Sequence, residues 1–209
     1  LIDRIKGKKM SMVSLPNKLK SKPLIPSKSA QFLREKMKQV IGVLFFCLSG
    51  SLITILITYN PTDPSFRSAT STSATNAFGS FGSYIADPIH LAVGMTSYSL
   101  VFLSFIWGWR FTFKMSTYNF FQRIIFLPLT VAFLSMFLAA HPTPKDWNFA
   151  YGIGGVFGDN ALSLILGITL FEINNWLKIT TACLADSTIA LACYTLGLTS
   201  DEFKKIMRF

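Results

Sequence analysis

Residues 40–59, VIGVLFFCLSGSLITILITY, form an apolar stretch that decides the fold of this chain. They lie in an interval of 24 uncharged residues between Lys38 and Asp63. An α-helix needs about 20 mostly apolar residues to cross the roughly 30 Å hydrocarbon core of a bilayer. The stretch therefore predicts a membrane-spanning helix.

Two further intervals of similar length follow this stretch. One has 22 uncharged residues between Asp87 and Arg110, and the other has 21 between Arg123 and Lys145. The chain of 209 residues is 51% hydrophobic and only 14% charged, whereas soluble domains carry about 25% charged residues. The sequence therefore predicts an all-α, polytopic membrane protein.

The segment after the third interval is less regular. The uncharged residues between Asp159 and Glu172 number only 12, and they rise about 18 Å as a helix, too little to cross the bilayer. We predict that a glycine-rich tract opens a short interfacial or re-entrant helix at about 153–173, and that a helix at about 179–199 is the fourth transmembrane helix. In the rival arrangement a long tilted span covers 153–175, and the later helix lies on the cytoplasmic surface.

The basic residues are concentrated near the N-terminus. Residues 1–38 hold eleven of the 20 Lys and Arg against only Asp3 and Glu35, and the net charge of the chain is +10. The positive-inside rule accounts for this asymmetry without any ligand. Binding of nucleic acid and adhesion to anionic lipid headgroups are alternatives that the same charge leaves open. We expect residues 1–37 to be a basic, disordered cytoplasmic tail.

The same rule orients the rest of the chain. The 60–87 loop has a single basic residue, Arg67, and is expected outside the cytoplasm. The C-terminal stub, 201–209, has three basic residues and is expected inside. The transmembrane domain, 38–200, is therefore predicted to cross the bilayer an even number of times, with both termini cytoplasmic.

No catalytic constellation is visible in the sequence. It contains no G-x-x-x-x-G-K-[ST] phosphate loop, no H-E-x-x-H and no G-x-S-x-G, so we expect no catalytic, cofactor or metal site. The three cysteines show no metal-ligand spacing and are expected to be small buried hydrophobes. The four tryptophans fall near the predicted helix ends, where indole rings anchor helices at the membrane surface.

Several polar residues in or near the predicted spans are candidates for a functional or a structural role. Asp87 is predicted to mark the outer boundary of the second helix, with Pro88 in its first turn. Asp186 is the better candidate for a buried role, either as a hydrogen-bonding group between helices or as a transport carboxylate. One reading is therefore a small transporter or channel subunit in which Asp186, Asp159 or His90 lines a polar path.

Three short motifs occur in order along the predicted spans. YNPTDPS at 59–65 follows the first span, N-x-x-G-x-x-G-x-x-x-A-D at 76–87 leads into the second, and FAYGIGGVFGD at 149–159 follows the third. Their Pro, Asn and Asp residues favour turns, and their glycines permit close approach of helices, so we expect structural roles for them. The motif residues are Asn60, Pro61, Asp63, Pro64, Ser65, Asn76, Gly79, Gly82, Ala86, Asp87, Gly94, Tyr98, Gly154, Gly155 and Gly158.

The order of these motifs resembles the N-terminal four-helix membrane domain of the FtsK/SpoIIIE DNA translocases, over roughly residues 38–200. The resemblance implies a membrane-anchoring and interaction domain of a cell-division DNA translocase, which acts in chromosome segregation at the septum of a bacterium. It implies a multi-pass protein of the bacterial inner membrane that contacts the lipid bilayer and division proteins and forms a homo-oligomer.

In that family an ATP-driven motor follows the membrane domain and acts on DNA. No motor motif lies within these 209 residues, so the resemblance implies no ATPase activity for this chain and contact with DNA only through a motor. One departure from the family pattern is the segment FEINNWLKITTACLADS at 171–187, which is more polar than expected.

Overall fold

A computed structural model describes residues 27–168, 173–199, 202 and 204. Within these residues every regular element is helical, as predicted, and there is no strand. The elements are α1 (Ser27–Ile57), α2 (Gly79–Val93), a 3₁₀ turn (Gly94–Thr96), α3 (Ser97–Thr112), α4 (Phe120–Ile125), α5 (Leu127–Ala139), α6 (Gly155–Gly167) and α7 (Ile173–Thr195).

The polarity of the fold is inverted relative to a soluble protein. Among the described residues, the largest fully buried side chains are polar: Thr96, Thr195, Asp87, Ser83, Ser97 and Ser135. Large apolar side chains such as Phe102, Leu164 and Ile168 are exposed instead. Soluble proteins rarely expose large contiguous apolar surface, whereas hydrocarbon solvates it.

In the part of the chain that the structure describes, three helical segments are long and apolar enough to cross a membrane: Gln31–Ile57, Gly79–Thr112 and Phe120–Ala139. They correspond to the three uncharged intervals of the sequence, and they make the chain a multi-pass membrane protein. α7 has 23 residues, which is long enough, but it is less apolar and is not among the three.

Helices α1 and α3 run antiparallel and in close contact. Ser49 Oγ donates to the carbonyl of Val101 (3.0 Å), and Tyr98 Oη donates to the carbonyl of Leu56 (3.3 Å). A Cβ placed on Gly42 would lie 2.9 Å from the carbonyl oxygen of Gly108. We call the end of the bundle that carries residues 60–78 the loop end, and the opposite end, where α1 starts, the tail end.

The second helical segment differs from the prediction. Asp87 does not mark a helix boundary, because α2 begins eight residues earlier, at Gly79, and Pro88 lies in the helix interior rather than in the first turn. A buried carboxylate is tolerated within the helix because it is paired with Arg67. The segment then breaks at Gly94, where φ is +56°, and the amide of Met95 donates to the carbonyl of Ile153 (2.9 Å).

The last two helices have different bounds from those predicted: α6 is shorter, whereas α7 begins earlier, at Ile173 rather than near residue 179. α6 ends at Gly167 rather than near residue 173, and α7 ends at Thr195 rather than near residue 199; residues 169–172 lie outside the described part. Leu177, near the start of α7, packs with residues at the loop end of α5, including Phe137. The carbonyl of Thr195, at its other end, accepts from Trp107 Nε1 (3.0 Å). α7 therefore extends from the loop end to the tail end.

The chain termini are described only in part. α1 begins at Ser27, before the boundary at 37 that we expected for a disordered tail, because Lys, Arg, Glu, Gln and Ala are good helix formers. Residues 1–26, and with them most of the predicted tail, lie outside the described residues. Of the predicted stub, Glu202 and Lys204 are described, and both are helical.

Candidate functional site

The loop after α1 is held by a buried carboxylate. Asp63, only 3% exposed, accepts hydrogen bonds from the amides of Thr75 and Asn76 (both 2.9 Å) and from Thr75 Oγ1 (2.8 Å). Asn60 supports the same turn, since its Oδ1 accepts from the amide of Thr62 (3.1 Å). The loop thus folds back on itself although it contains no regular element.

Asn76 links this loop to the two helices beside it. Its Nδ2 donates to the carbonyl of Ile55 in α1 (2.8 Å), and its Oδ1 accepts from the amide of Phe78 (3.0 Å). Gly82 lies against this amide side chain so closely that a Cβ there would overlap it. Ser83 Oγ donates to the carbonyl of Pro64 (2.7 Å). The first and second motifs therefore form one structural unit.

An ion pair lies at the centre of this unit. Arg67 binds Asp87 with two nitrogens, one of them Nε at 3.0 Å from Oδ2, and Tyr59 Oη donates to Asp87 Oδ1 (2.8 Å). Asp87 is 2% exposed, whereas the Arg67 side chain is 45% exposed. The hydrogen bond to Asp87 raises the pKa of Arg67. Burial, together with the hydrogen bond to Asp87, raises the pKa of Tyr59, so the phenol stays a donor.

Next to the ion pair, His90 is enclosed by aromatic rings. Its Nδ1 lies 2.7 Å from Tyr151 Oη. Its ring centroid lies 4.6 Å from that of Phe149 and 4.8 Å from that of Tyr59, and Trp147 completes the cluster. Burial raises the pKa of Tyr151. His90 thus lies in a packed polar-aromatic core.

The glycine tract of the third motif packs against the end of α2 and against α5. Gly155 has φ of +71°, and a Cβ there would lie 2.5 Å from the amide nitrogen of Gly94. A Cβ on Gly158 would lie 2.8 Å from the carbonyl carbon of Ser135. Ser135 Oγ also donates to the carbonyl of Gly154. Close backbone packing therefore joins the third motif to α5 and to the end of α2, the helix that contains most of the second motif.

The remaining motif residues lie in the same region. Ala86 is fully buried beside the ion pair, and Gly79, with φ of +60°, starts α2 with open space around it. Pro61 and Ser65 line a cavity of about 320 Å³ whose other walls include Arg67 and Tyr151. No group of His, Cys, Asp and Glu that could hold a metal ion occurs among the described residues. This region is therefore a packed and extensively hydrogen-bonded unit.

A second polar cluster, at the tail end, was not predicted. Arg110, which the sequence marked only as the end of an uncharged interval, is 3% exposed. It donates through Nη2 to the carbonyl of Ser116 (3.0 Å) and through Nη1 to Glu202 (3.2 Å). Glu202 in turn accepts from the amide of Thr199 (2.9 Å). The T-x-x-E pattern at 199–202 is a capping box that the sequence could have revealed.

The tryptophans also differ from expectation. Trp107 is 3% exposed and packs on Phe120 with ring centroids 4.6 Å apart, so it belongs to the interior and does not anchor a helix at the membrane surface. Trp109 is 45% exposed, as a surface ring would be. The cysteines are free thiols, and Cys47 and Cys183 are exposed rather than buried.

Comparison with known proteins identifies the family. The family described as the 4TM region of DNA translocase FtsK/SpoIIIE matches residues 34–185. The chain belongs to this family. The resemblance noted from the three motifs is thereby confirmed, and the chain is related to the membrane region of cell-division DNA translocases of the inner membrane.

Individual relatives agree with this result. The chain is 31% identical to the DNA translocase FtsK of Caulobacter vibrioides over 62% of its length, and 26% identical to that of Azospirillum brasilense over 89% of its length. These matches cover 16% and 30% of the two relatives, so the chain spans less than a third of their length. No solved structure matches the chain.

The three residues of the transporter reading lie in separate surroundings. Asp186 is exposed on α7 and lines an open groove of about 470 Å³ that also contains Lys204. Asp159 Oδ2 accepts from the amide of Gly152 (2.7 Å). His90 lies within the aromatic cluster. The structure therefore does not bring these three side chains together along one path.

Proposed function

We propose that this chain is the membrane-anchoring and interaction domain of a cell-division DNA translocase that segregates chromosomes at the septum. The observation that carries the proposal is the family match over residues 34–185. The motor that moves DNA in such a translocase is a separate part, and this domain contacts DNA only through it. Membrane attachment of this kind raises the effective concentration of a motor near its division partners.

The orientation is part of the proposal. The tail end faces the cytoplasm, because residues 1–38 contain eleven Lys and Arg and the 60–87 loop contains one. The loop end, with the Arg67–Asp87 pair, then faces outward and is the surface available to division proteins. Copies of the chain assemble into a homo-oligomer around the motor.

We also propose that α7 is the fourth crossing. It extends from the loop end to the tail end and rises about 34 Å over its 23 residues. α6, with 13 residues, rises only about 20 Å, and it packs through Leu162 on Met136 of α5 and Leu184 of α7. α6 accordingly enters the bilayer from the loop end and does not cross it.

The interaction function is tested by localisation. A fluorescent fusion of the chain in dividing Caulobacter vibrioides cells should concentrate at the division plane. An unrelated polytopic membrane protein with the same fluorophore should label the membrane evenly. An even distribution of the fusion, at an expression level where it is inserted and intact, would refute the proposal. The purified chain should also hydrolyse ATP no faster than a buffer control.

The orientation is tested by cysteine labelling in a background that lacks Cys47, Cys183 and Cys193. An impermeant maleimide added outside should modify a cysteine placed at Ser71 and leave one at Ser21 unmodified. The reverse pattern would overturn the topology. A cysteine at Asn174, at the start of α7, should also react from outside. Labelling from the cytoplasm alone would favour a crossing α6.

A further inference from the structure

Two adjoining cavities of about 200 and 480 Å³ lie at the tail end, between α1 and the connection from α3 to α5, and we call them together the groove. Both cavities are lined by Lys38, Phe111 and Thr117, so they share one wall. Four charged side chains line the smaller cavity, whereas Lys38 is the one charged side chain in the lining of the larger. We call the smaller one the polar cavity and the larger one the apolar cavity. A single ligand that occupies both must therefore have a charged part and an apolar part.

The polar cavity carries an excess of positive charge. Its lining includes Lys38, Arg110 and Lys114 against one acid, Glu35. Lys114 Nζ lies 2.6 Å from Glu35 Oε2, in a pair whose members are both more than half exposed. Lys38 is exposed and has no ion-pair partner among the described residues. Such a site favours an anion. Because the Lys114–Glu35 pair is exposed, breaking it to bind an anion costs little free energy.

Arg110 lines the polar cavity and is held in place by hydrogen bonds, unlike a mobile cation on the surface. Arg110 is 3% exposed and is fixed by Ser116 and Glu202. These two partners use three of its five N–H groups. Its guanidinium also lies 5.9 Å from the ring of Trp107. Glu202 neutralises this buried guanidinium, so the positive charge offered to an anion comes from Lys38 and, once its exposed pair with Glu35 opens, from Lys114.

The apolar cavity is shaped by aromatic rings. It is lined by Ile41, Phe111, Phe120 and Phe121, and the rings of Phe111 and Phe120 meet edge to face with centroids 5.1 Å apart. Phe121 is 78% exposed and stands at the open side. This trough lies on the outer surface of the bundle, where a hydrocarbon chain has access to it.

We propose that this groove binds one anionic phospholipid, with its phosphate between Lys38 and Lys114 and one acyl chain along Phe120 and Phe121. The proposal rests on the orientation given above, which places the tail end at the cytoplasmic leaflet. Basic pockets between transmembrane helices on that side suit anionic headgroups. The basic residues of the polar cavity select the lipid by its headgroup charge, and the apolar cavity holds the acyl chain. An inorganic phosphate ion would therefore occupy only the polar cavity.

The fluorescence of Trp107 can report a lipid bound in the groove, because its ring lies 4.6 Å from that of Phe120. The full chain, with Trp109, Trp147 and Trp176 replaced by Phe, is reconstituted into phosphatidylcholine vesicles that contain brominated phosphatidylglycerol or brominated phosphatidylcholine. Quenching of Trp107 should reach half its maximum at a clearly lower mole fraction of the brominated phosphatidylglycerol. Equal quenching curves for the two lipids would overturn the proposal.

Charge variants locate the site. Lys38→Gln and Lys114→Gln should each weaken the preference for phosphatidylglycerol by about fivefold. The matched changes Lys145→Gln and Lys178→Gln remove exposed cations outside the groove and should leave it unchanged. An equal loss in all four variants would mean that general surface charge, not this groove, attracts the lipid.

Two further experiments distinguish a lipid from a phosphate ion as the ligand. Millimolar inorganic phosphate should not relieve the quenching, and full relief would show an ion site instead of a lipid site. Phe121→Ser should weaken quenching by both lipids while the ratio between them persists. The vesicles carry the same lipids in both leaflets, so the quenching assay does not depend on the orientation of the chain. A wrong orientation would be detected by the cysteine-labelling experiment, and a lack of lipid preference by the quenching assay.

Discussion

The two ends of the bundle bury charge in different ways. At the loop end, Asp87 is paired with Arg67 and Tyr59, which are 20 and 28 residues away in the sequence. At the tail end, Arg110 reaches Glu202, which is 92 residues away. The loop-end network can therefore form within one segment of the chain, whereas the tail-end cluster requires the whole bundle to be closed. Substitutions at the loop end should mainly disturb the structure nearby. Substitutions at the tail end should weaken the packing of α7 against the rest of the bundle.

The largest expected effect comes from the loop-end ion pair. Arg67→Met leaves the buried carboxylate of Asp87 without its cation, and breaking such a pair costs about 3 kcal/mol. Asp87→Asn should cost less, because an amide still accepts from Tyr59 and the half-exposed Arg67 regains water. Thermal unfolding in detergent should show this order.

Lys145→Met is the matched control, since it removes an exposed cation from the other loop at the same end. It should leave the unfolding temperature nearly unchanged. If Arg67→Met behaved like this control, the Arg67–Asp87 pair would not stabilise the loop end.

The next effect concerns the glycine tract that joins the loop end to α5. In Gly158→Ala, the new Cβ meets the backbone of Ser135, which cannot move aside easily, and overpacking of this kind costs about 1–3 kcal/mol. In Gly167→Ala, near the end of the same helix, the new Cβ meets open space. That change should be neutral or slightly stabilising, because Ala favours a helix over Gly. Equal effects of the two substitutions on unfolding temperature would contradict the close packing.

The positions of the first three spans could be predicted from the sequence because one quantity, the length of an uncharged interval, is set by the thickness of the bilayer. The short glycine-rich helix was predicted for the same reason. The predicted end of this helix, near residue 173, was wrong, because bilayer thickness does not determine where a helix ends when it does not cross the membrane. The place of α7 could not be settled by length, since Lys178 and Asp186 interrupt its apolar sequence.

The polar contacts were harder to predict. Asp87 was read as a helix boundary because its partner, Arg67, lies in a Ser- and Thr-rich loop that shows no periodic pattern. A hint existed, since Arg67 is the single basic residue of that loop. Arg110 and Trp107 offered no such hint, because their partners come from the far end of the chain and depend on how the helices close.

At the tail end, Trp107→Phe is expected to have an intermediate effect. The ring and its contact with Phe120 are retained, but the carbonyl of Thr195 loses its indole donor in a buried position. A lost buried hydrogen bond of this kind costs about 1–2 kcal/mol. Trp109→Phe, at an exposed ring, is the matched control. Hydrogen exchange should speed up at the end of α7 in the first variant and stay unchanged in the second.

The smallest effect is the pH dependence of the Glu202 contact. Burial by itself would raise the pKa of this carboxyl, but hydrogen bonds from the amide of Thr199 and from Arg110 hold it below its ordinary value of 4.5. A lowered pKa in the folded state means that the contact contributes stability above pH 4.5 and loses it as the pH falls through the folded-state pKa. The contribution should stay below about 1 kcal/mol, because the side chain is partly exposed and solvent screens the pair. Carbon-13 NMR of glutamate-labelled protein, with Glu202→Gln to assign the signal, should place its midpoint below 4.5. A midpoint at or above that value would mean that the capping box and Arg110 do not hold the carboxylate in solution, and that the tail end is closed by Trp107 without it.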